Sequence, residues 1–175
     1  MVAACTRAEP TAPSPGSDDV WLPEACVAGG PETCFNARDD NCNGLIDEGC
    51  GTRTGIVEFT IAWDARTADV DLLVTDPGGE LVEPGPGRIS GAGLVKERDC
   101  PGPHGECRGR NVENVYLEKD EAKKGVYRVK IALQRLEDED LPVRVTFGAR
   151  VGQRSYAKTV VLDTPRAQKR FDFVL

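Results

Sequence analysis

From residue 56 to the end of the chain, apolar and polar residues alternate over short stretches separated by turn residues. In residues 127–131 and 143–147 every second side chain is apolar, which is typical of an antiparallel strand with one face in water. The predicted strands are 56–63, 70–75, 113–117, 126–133, 143–151, 156–162 and 169–174. A single helical turn is predicted at 118–124. The pattern therefore predicts an all-β protein, an antiparallel β-sandwich of the jelly-roll or immunoglobulin-like kind.

The first third of the chain lacks this alternation. Residues 6–19 are rich in Pro, Ser and Ala and contain no large apolar residue, so they cannot bury enough surface to offset the entropy of ordering. We therefore predict three parts: an N-terminus and tether at 1–19, a Cys-rich metal-binding module at 20–54, and the sandwich at 55–175.

Seven cysteines in 175 residues indicate an oxidising compartment. Four of them recur at intervals of eight, and two more flank a Gly/Pro-rich loop; these six are Cys26, Cys34, Cys42, Cys50, Cys100 and Cys107. The odd one, Cys5, ends the tetrapeptide Val-Ala-Ala-Cys, which resembles the lipobox of bacterial lipoproteins. That resemblance implies lipidation at Cys5 and a place at the outer membrane or cell surface, with the periplasm left open.

Charge is unevenly distributed along the chain. The net charge is −7, yet residues 141–175 carry seven basic and two acidic side chains, while residues 1–50 carry nine acids and two bases. An acidic chain without a Lys/Arg block repels phosphate backbones, so nucleic acid is not an expected partner. We also hypothesise that the acidic module docks on the basic C-terminal strands, which carry Arg144, Arg150, Arg154 and Lys158.

Residues 39–48, DDNCNGLIDE, place oxygen ligands at the alternating positions of an EF-hand-type calcium loop. The candidate ligands are Asp39, Asn41, Asn43, the carbonyl of Leu45, Asp47 and Glu48. Position 12, normally a bidentate Glu, is Cys50, so the ligand shell is expected to be closed instead by Glu48, by Asp40 or by water. The alternative is a turn rich in Asp and Asn that is held by disulfides without metal.

Residues 34–50, CFNARDDNCNGLIDEGC, resemble the MopE-type metal-binding motif. Copies of that motif commonly carry only the two inner cysteines, so the resemblance implies the pairs Cys34–Cys42 and Cys26–Cys50. The family name points to copper, but the oxygen-rich ligand set here favours calcium. Residues 55–175 resemble YfaP-like extracytoplasmic domains through WD, DVDLLVTDPGGE, ENV and GVYRV segments. That resemblance implies a β-sandwich and carries no chemistry over.

A group of acidic residues in the sandwich is a candidate for a second cation site. Asp69 and Asp71 lie two apart on a strand and face one side. The full candidate set is Asp64, Asp69, Asp71 and Asp99, with Glu113 or Asn114. The alternative is that these side chains cap strand ends and accept hydrogen bonds from loop amides. Cys100, His104 and Cys107 are either part of a disulfide-closed loop or, as a sharper alternative, three ligands of a zinc ion.

The expected function is that of a non-enzymatic, surface-tethered lipoprotein with a structural Ca²⁺ ion, acting as a structural or recognition module. With one histidine and four serines, the chain offers little for nucleophilic catalysis. The partner is an unidentified protein or surface polymer, and membrane contact occurs only through a lipid at Cys5. The alternatives are a lipoprotein that handles copper or zinc and a carbohydrate-binding module.

Overall fold

The computed structural model describes residues 26–83, 88–100, 110–117, 119–137 and 141–175. It contains eight β-strands and, within these residues, no helix. The strands are β1 Val57–Trp63, β2 Asp69–Thr75, β3 Leu94–Lys96, β4 Val112–Leu117, β5 Val126–Arg135, β6 Val143–Val151, β7 Arg154–Leu162 and β8 Gln168–Val174.

The strands form two antiparallel sheets that enclose one apolar core. The larger sheet has the order β3-β4-β1-β6-β7, and the smaller has the order β2-β5-β8. The core includes a group of aromatic rings from both sheets, of which Phe59 and Phe173 have centroids 5.1 Å apart. The predicted all-β antiparallel sandwich is confirmed. The predicted helical turn is wrong over 119–124, where the chain forms bends and loop. Glu118, its first residue, lies outside the described residues.

One strand was not predicted. β3 has only three residues and pairs with β4 at the edge of the larger sheet, with Leu94 opposite Leu117. A three-residue segment is too short to show an alternation that stands out from its surroundings. Its buried positions are Leu94 and Lys96, which places a lysine side chain inside the molecule.

Two disulfides hold the module, and their pairing corrects the prediction. The bonds are Cys26–Cys42 and Cys34–Cys50, with Cα atoms 5.4 and 5.3 Å apart. The backbone explains the difference: N–H groups of Val27 and Gly29 donate to the carbonyls of Asp40 and Asn41, at 2.9 and 3.1 Å. These bonds lay the start of the module beside residue 42, so Cys26 meets Cys42 rather than Cys50.

The module covers the outer face of the larger sheet. All seven residues of β1 are buried, although a sheet with one wet face would leave every second one exposed. Ala37 lies over Gly148 of β6 so closely that a Cβ at Gly148 would be 2.3 Å from the Ala37 carbonyl oxygen. Ala37 also packs on Ala62 and Val112.

Polar contacts reinforce this docking. The amide of Asn114 donates to the carbonyl of Arg53 at 2.7 Å and to the Glu97 carboxylate at 3.0 Å. The same Glu97 carboxylate accepts the backbone N–H of Arg53 at 2.8 Å. Hydrogen bonds thus connect residue 53 to β4 at the point where the module joins the sandwich. The module contacts the C-terminal strands at Gly148 on β6 and at Ser155 on β7. The hypothesised attraction to the basic side chains of these strands stays a prediction.

Candidate metal centre

Side-chain oxygens hold the backbone of the 39–48 loop in its tight winding. Asp39 accepts the N–H groups of Asn43 and Gly44 at 3.1 and 2.8 Å. Asn41 Oδ1 accepts the N–H of Asn43 at 3.0 Å, and Asn43 Oδ1 accepts that of Leu45 at 2.8 Å. Gly44 has φ +84°, a left-handed conformation that favours glycine. The loop backbone therefore winds as the sequence pattern predicts.

Glu48 lies across this loop from the two asparagines. Its Oε1 is 2.5 Å from Nδ2 of both Asn41 and Asn43. Its Oε2 is buried and has no hydrogen-bond partner among the described residues. Leaving a buried polar atom unsatisfied costs about 1–3 kcal/mol, and more when the atom is charged. This placement agrees with the expectation that Glu48, rather than residue 50, faces the loop.

Asp47 is placed differently from the other candidate ligands. Its two carboxylate oxygens accept the backbone N–H groups of Asn36 and Ala37 at 3.1 and 3.0 Å, and the side chain is fully buried. Burial raises the pKa of this carboxyl, and the backbone donors oppose that rise. Asp47 thus braces the segment that packs on the sheet. In the described chain, the carboxylates of Asp39, Asp47 and Glu48 do not all come within 4.8 Å of one another.

The first loop residue is also bonded to the sandwich. Ser155 Oγ on β7 donates to Asp39 Oδ2 at 2.9 Å. Since the other Asp39 contacts organise the loop, this bond connects the loop conformation to the larger sheet.

Glu32 is a functional candidate that sequence reasoning missed. Its carboxylate accepts the backbone N–H groups of Asp40 and Asp47, at 3.2 and 3.1 Å. Burial raises the pKa of Glu32 to about 7, with repulsion from Glu48 as the next cause. No motif position marked Glu32, because it precedes the loop in the sequence and contacts the loop only in the folded chain.

The sandwich gathers part of the predicted second cation site. Among the described residues, ligand atoms of Asp71, Asp99 and Glu113 lie within 4.8 Å of one another. The Lys96 ammonium is 2.7 Å from Asp99 Oδ1 and 3.0 Å from Glu113 Oε2. The cluster therefore already holds a cation from the protein itself. No sequence pattern marked Lys96, because β3 is too short to show which of its side chains face inward.

The other two residues of that candidate site do not belong to this group of three carboxylates within 4.8 Å of one another. Asp64 is exposed, and it does not join the group of three carboxylates. Asp69 is half-buried at the start of β2; burial raises its pKa, with Asp71 as the next cause and Arg135 opposing. We propose no metal ion at this site.

The cysteines and histidine of the 100–107 loop are only partly described. Cys100 is buried and disulfide-bonded, which favours the disulfide-closed loop over the zinc alternative. His104 and Cys107 lie outside the described residues, as does the predicted lipidation site Cys5.

Glu58, at the junction between module and sandwich, makes the stability of the folded protein depend on pH. It lies on the outer face of β1, fully buried, and burial raises its pKa to about 8 from 4.5. The folded state therefore holds this proton more tightly than the unfolded chain does. Its contribution to stability is complete below pH 4.5 and is lost as the pH rises through 8.

Replacing Glu58 with Gln should remove this pH dependence. Relative to the wild type, we expect Glu58→Gln to gain about 3 kcal/mol in free energy of unfolding between pH 5.5 and 8.5, since glutamine mimics the protonated acid. Urea unfolding at the two pH values measures the change. Glu121→Gln, at an exposed position, is the control. An equal pH response in wild type and Glu58→Gln would contradict the assignment.

Comparison with models of protein families, with curated proteins and with solved structures found no match. The fold and disulfides define the class of the chain: a two-sheet antiparallel β protein that carries a disulfide-bonded N-terminal module. Such disulfides indicate an oxidising, extracytoplasmic compartment. Within the described residues, no helix is long and apolar enough to cross a membrane.

Proposed function

We propose that this chain is a non-catalytic, calcium-stabilised structural or recognition module of an extracytoplasmic protein, tethered to the outer membrane or cell surface through a lipid at Cys5. A calcium ion in the 39–48 loop would be bound by side-chain oxygens of Asp39, Asn41, Asn43 and Glu48 and by the carbonyl of Leu45. The ion would supply charge neutralisation and rigidity, with no chemical step.

The observation that carries this proposal is the buried, unpartnered Oε2 of Glu48. A carboxylate oxygen beside a turn already wound for oxygen ligation fits a hard divalent cation, which takes six to eight oxygens. The neighbouring Glu32 also supports a bound cation, because repulsion from Glu48 contributes to the raised pKa of Glu32. A cation beside Glu48 would offset that repulsion.

The bond from Ser155 to Asp39 gives the ion a structural role beyond the loop. An ion that fixes Asp39 would also hold the module on β7, and with it the cover over Glu58 and the outer face of the larger sheet. Calcium would therefore stabilise the joined unit rather than the module alone.

Calcium should raise the melting temperature of the full chain. At a free concentration 100 times the dissociation constant, we expect about 2.7 kcal/mol of stabilisation, or about 5–10 °C in a chain of this size. Glu48→Gln should abolish this shift while leaving the metal-free protein at least as stable, because the orphaned charge is gone. Differential scanning calorimetry with calcium or a chelator measures both.

Glu121→Gln serves as the matched control and should keep the calcium response. Parallel titrations with copper and zinc test the metal-handling alternative, which predicts tight, reversible binding of those ions and weak binding of calcium. Absence of any calcium-dependent shift in the wild type, with both module disulfides verified, would refute the proposed site.

A further inference from the structure

Two arginine side chains lie close to the ring of Phe35 at the junction of module and sandwich. The guanidinium carbon of Arg110 is 4.1 Å from the ring centroid, and that of Arg98 is 5.5 Å from it. Phe35 itself is partly buried and packs against the small cluster of Ala37, Ala62 and Val112 on the outer face of the sheet. The ring is thus fixed to the sandwich, and the two cations gather around a rigid support.

Within the part of the chain that the structure describes, the donors of both guanidinium groups are available. A guanidinium over an aromatic ring is attracted through its π face, so its five N–H groups, which lie in its own plane, remain free to bond. Among the described residues, neither Arg98 nor Arg110 has an ion pair or a side-chain hydrogen bond. This contrasts with Lys96, which neutralises two carboxylates a short distance along the chain.

Two unpaired cations near one ring repel each other, and an oxyanion between them would remove that repulsion. Each arginine offers a planar fork of donors, which matches pairs of oxygens on phosphate or sulfate. We propose that Arg98 and Arg110, held by Phe35, bind a single tetrahedral oxyanion, a phosphate or sulfate ester. A long polyanion is disfavoured, because the chain as a whole carries a net charge of −7.

This site is separate from the calcium loop in its residues and does not rest on the proposed function. It supplies the recognition chemistry that a structural calcium ion lacks: a fixed positive point on a chain with a net charge of −7. An ester group on a small ligand or at the end of a glycan would fit it.

Titration of the full chain at low ionic strength tests the proposal, with inorganic sulfate and glucose 6-phosphate as probes. We expect both to shift the side-chain Nε–Hε signals of Arg98 and Arg110 in ¹H–¹⁵N spectra. Arg98→Met and Arg110→Met should each weaken binding about tenfold. Arg128→Met, at an exposed position on β5, should bind as the wild type does.

Two further variants separate charge from geometry. Arg110→Lys keeps the positive charge but loses the planar fork, so it should bind several-fold more weakly. Phe35→Leu keeps an apolar side chain in the cluster and should also weaken binding while both module disulfides still form. Tighter binding of the sugar phosphate than of sulfate would identify an ester ligand, and equal binding a free oxyanion. Unchanged binding in Arg98→Met and Arg110→Met, or an equal loss in Arg128→Met, would overturn the proposal.

Discussion

Lys96→Met should lower the free energy of unfolding by about 4 kcal/mol, among the largest effects expected of a single substitution in this chain. The Lys96 ammonium is buried between Asp99 and Glu113, and Glu113 is fully buried. Burial alone lowers the pKa of Lys96, but the two carboxylates outweigh it and leave the pKa raised. Methionine fills the space and removes the charge, so Glu113 becomes an uncompensated buried acid.

Glu113 makes this loss worse because it joins the two sheets. Its carboxylate accepts the backbone N–H of Leu72 at 2.7 Å and that of Cys100 at 3.0 Å. Leu72 lies on β2, an edge strand of the smaller sheet, while Glu113 belongs to β4 of the larger one. The ion pair therefore supports a bridge from β4 to the edge of β2 at Leu72.

A double-mutant cycle with urea unfolding tests this assignment. Lys96→Met/Glu113→Gln should recover part of the stability lost in Lys96→Met, because no buried charge is then left alone. Lys169→Met, at an exposed position on β8, is the control and should change stability by less than about 0.5 kcal/mol. If Lys96→Met lowers the free energy of unfolding no more than Lys169→Met does, then Lys96 does not neutralise the carboxylates of Asp99 and Glu113.

Gly148→Val should separate the module from the sheet. A Cβ at this position would be 2.3 Å from the backbone carbonyl oxygen of Ala37 and 3.2 Å from the Ile46 side chain. A backbone atom cannot move aside as the end of a flexible side chain can, so the module has to shift. We expect a loss of about 3 kcal/mol or more, as in severe overpacking.

The response of each part of the protein to Gly148→Val shows whether the module alone has moved. The sandwich core lies on the other face of the sheet, so Gly148→Val should remain folded while its module becomes mobile in NMR relaxation measurements. Gly91→Ala is the control, because a Cβ there meets only the carboxylate end of Glu80, at 3.2 Å. Equal melting temperatures for Gly148→Val, Gly91→Ala and the wild type would show that the close contact is not a constraint.

Much of the fold could be predicted from the sequence, because period-two alternation is a local property of each strand. The segments that became β5, β6 and β8 were visible in this way. The winding of the 39–48 loop was equally local, since its hydrogen bonds join residues two to five apart. Glu48 was one of three groups expected to close the ligand shell, and its bonds to the asparagines join residues five and seven apart.

Contacts between distant parts of the chain could be seen only in the tertiary structure. The disulfide pairing depended on where residues 27 and 29 bond along the loop, which no spacing of cysteines reveals. Glu58 lies on the face of β1 that points away from the sandwich core, and its full burial there is seen only in the folded chain. Asp47 was predicted as a ligand, yet its carboxylate is taken by backbone groups ten and eleven residues earlier.

The sequence by itself determined the two-sheet β architecture, the wound Asx loop and the need for disulfides, because each follows from patterns within a few neighbouring residues. The tertiary structure decided which acids face a cation, which face backbone amides, and which lie beside a lysine. Those outcomes depend on chain segments up to more than a hundred residues apart meeting in space, as Asp39 and Ser155 do.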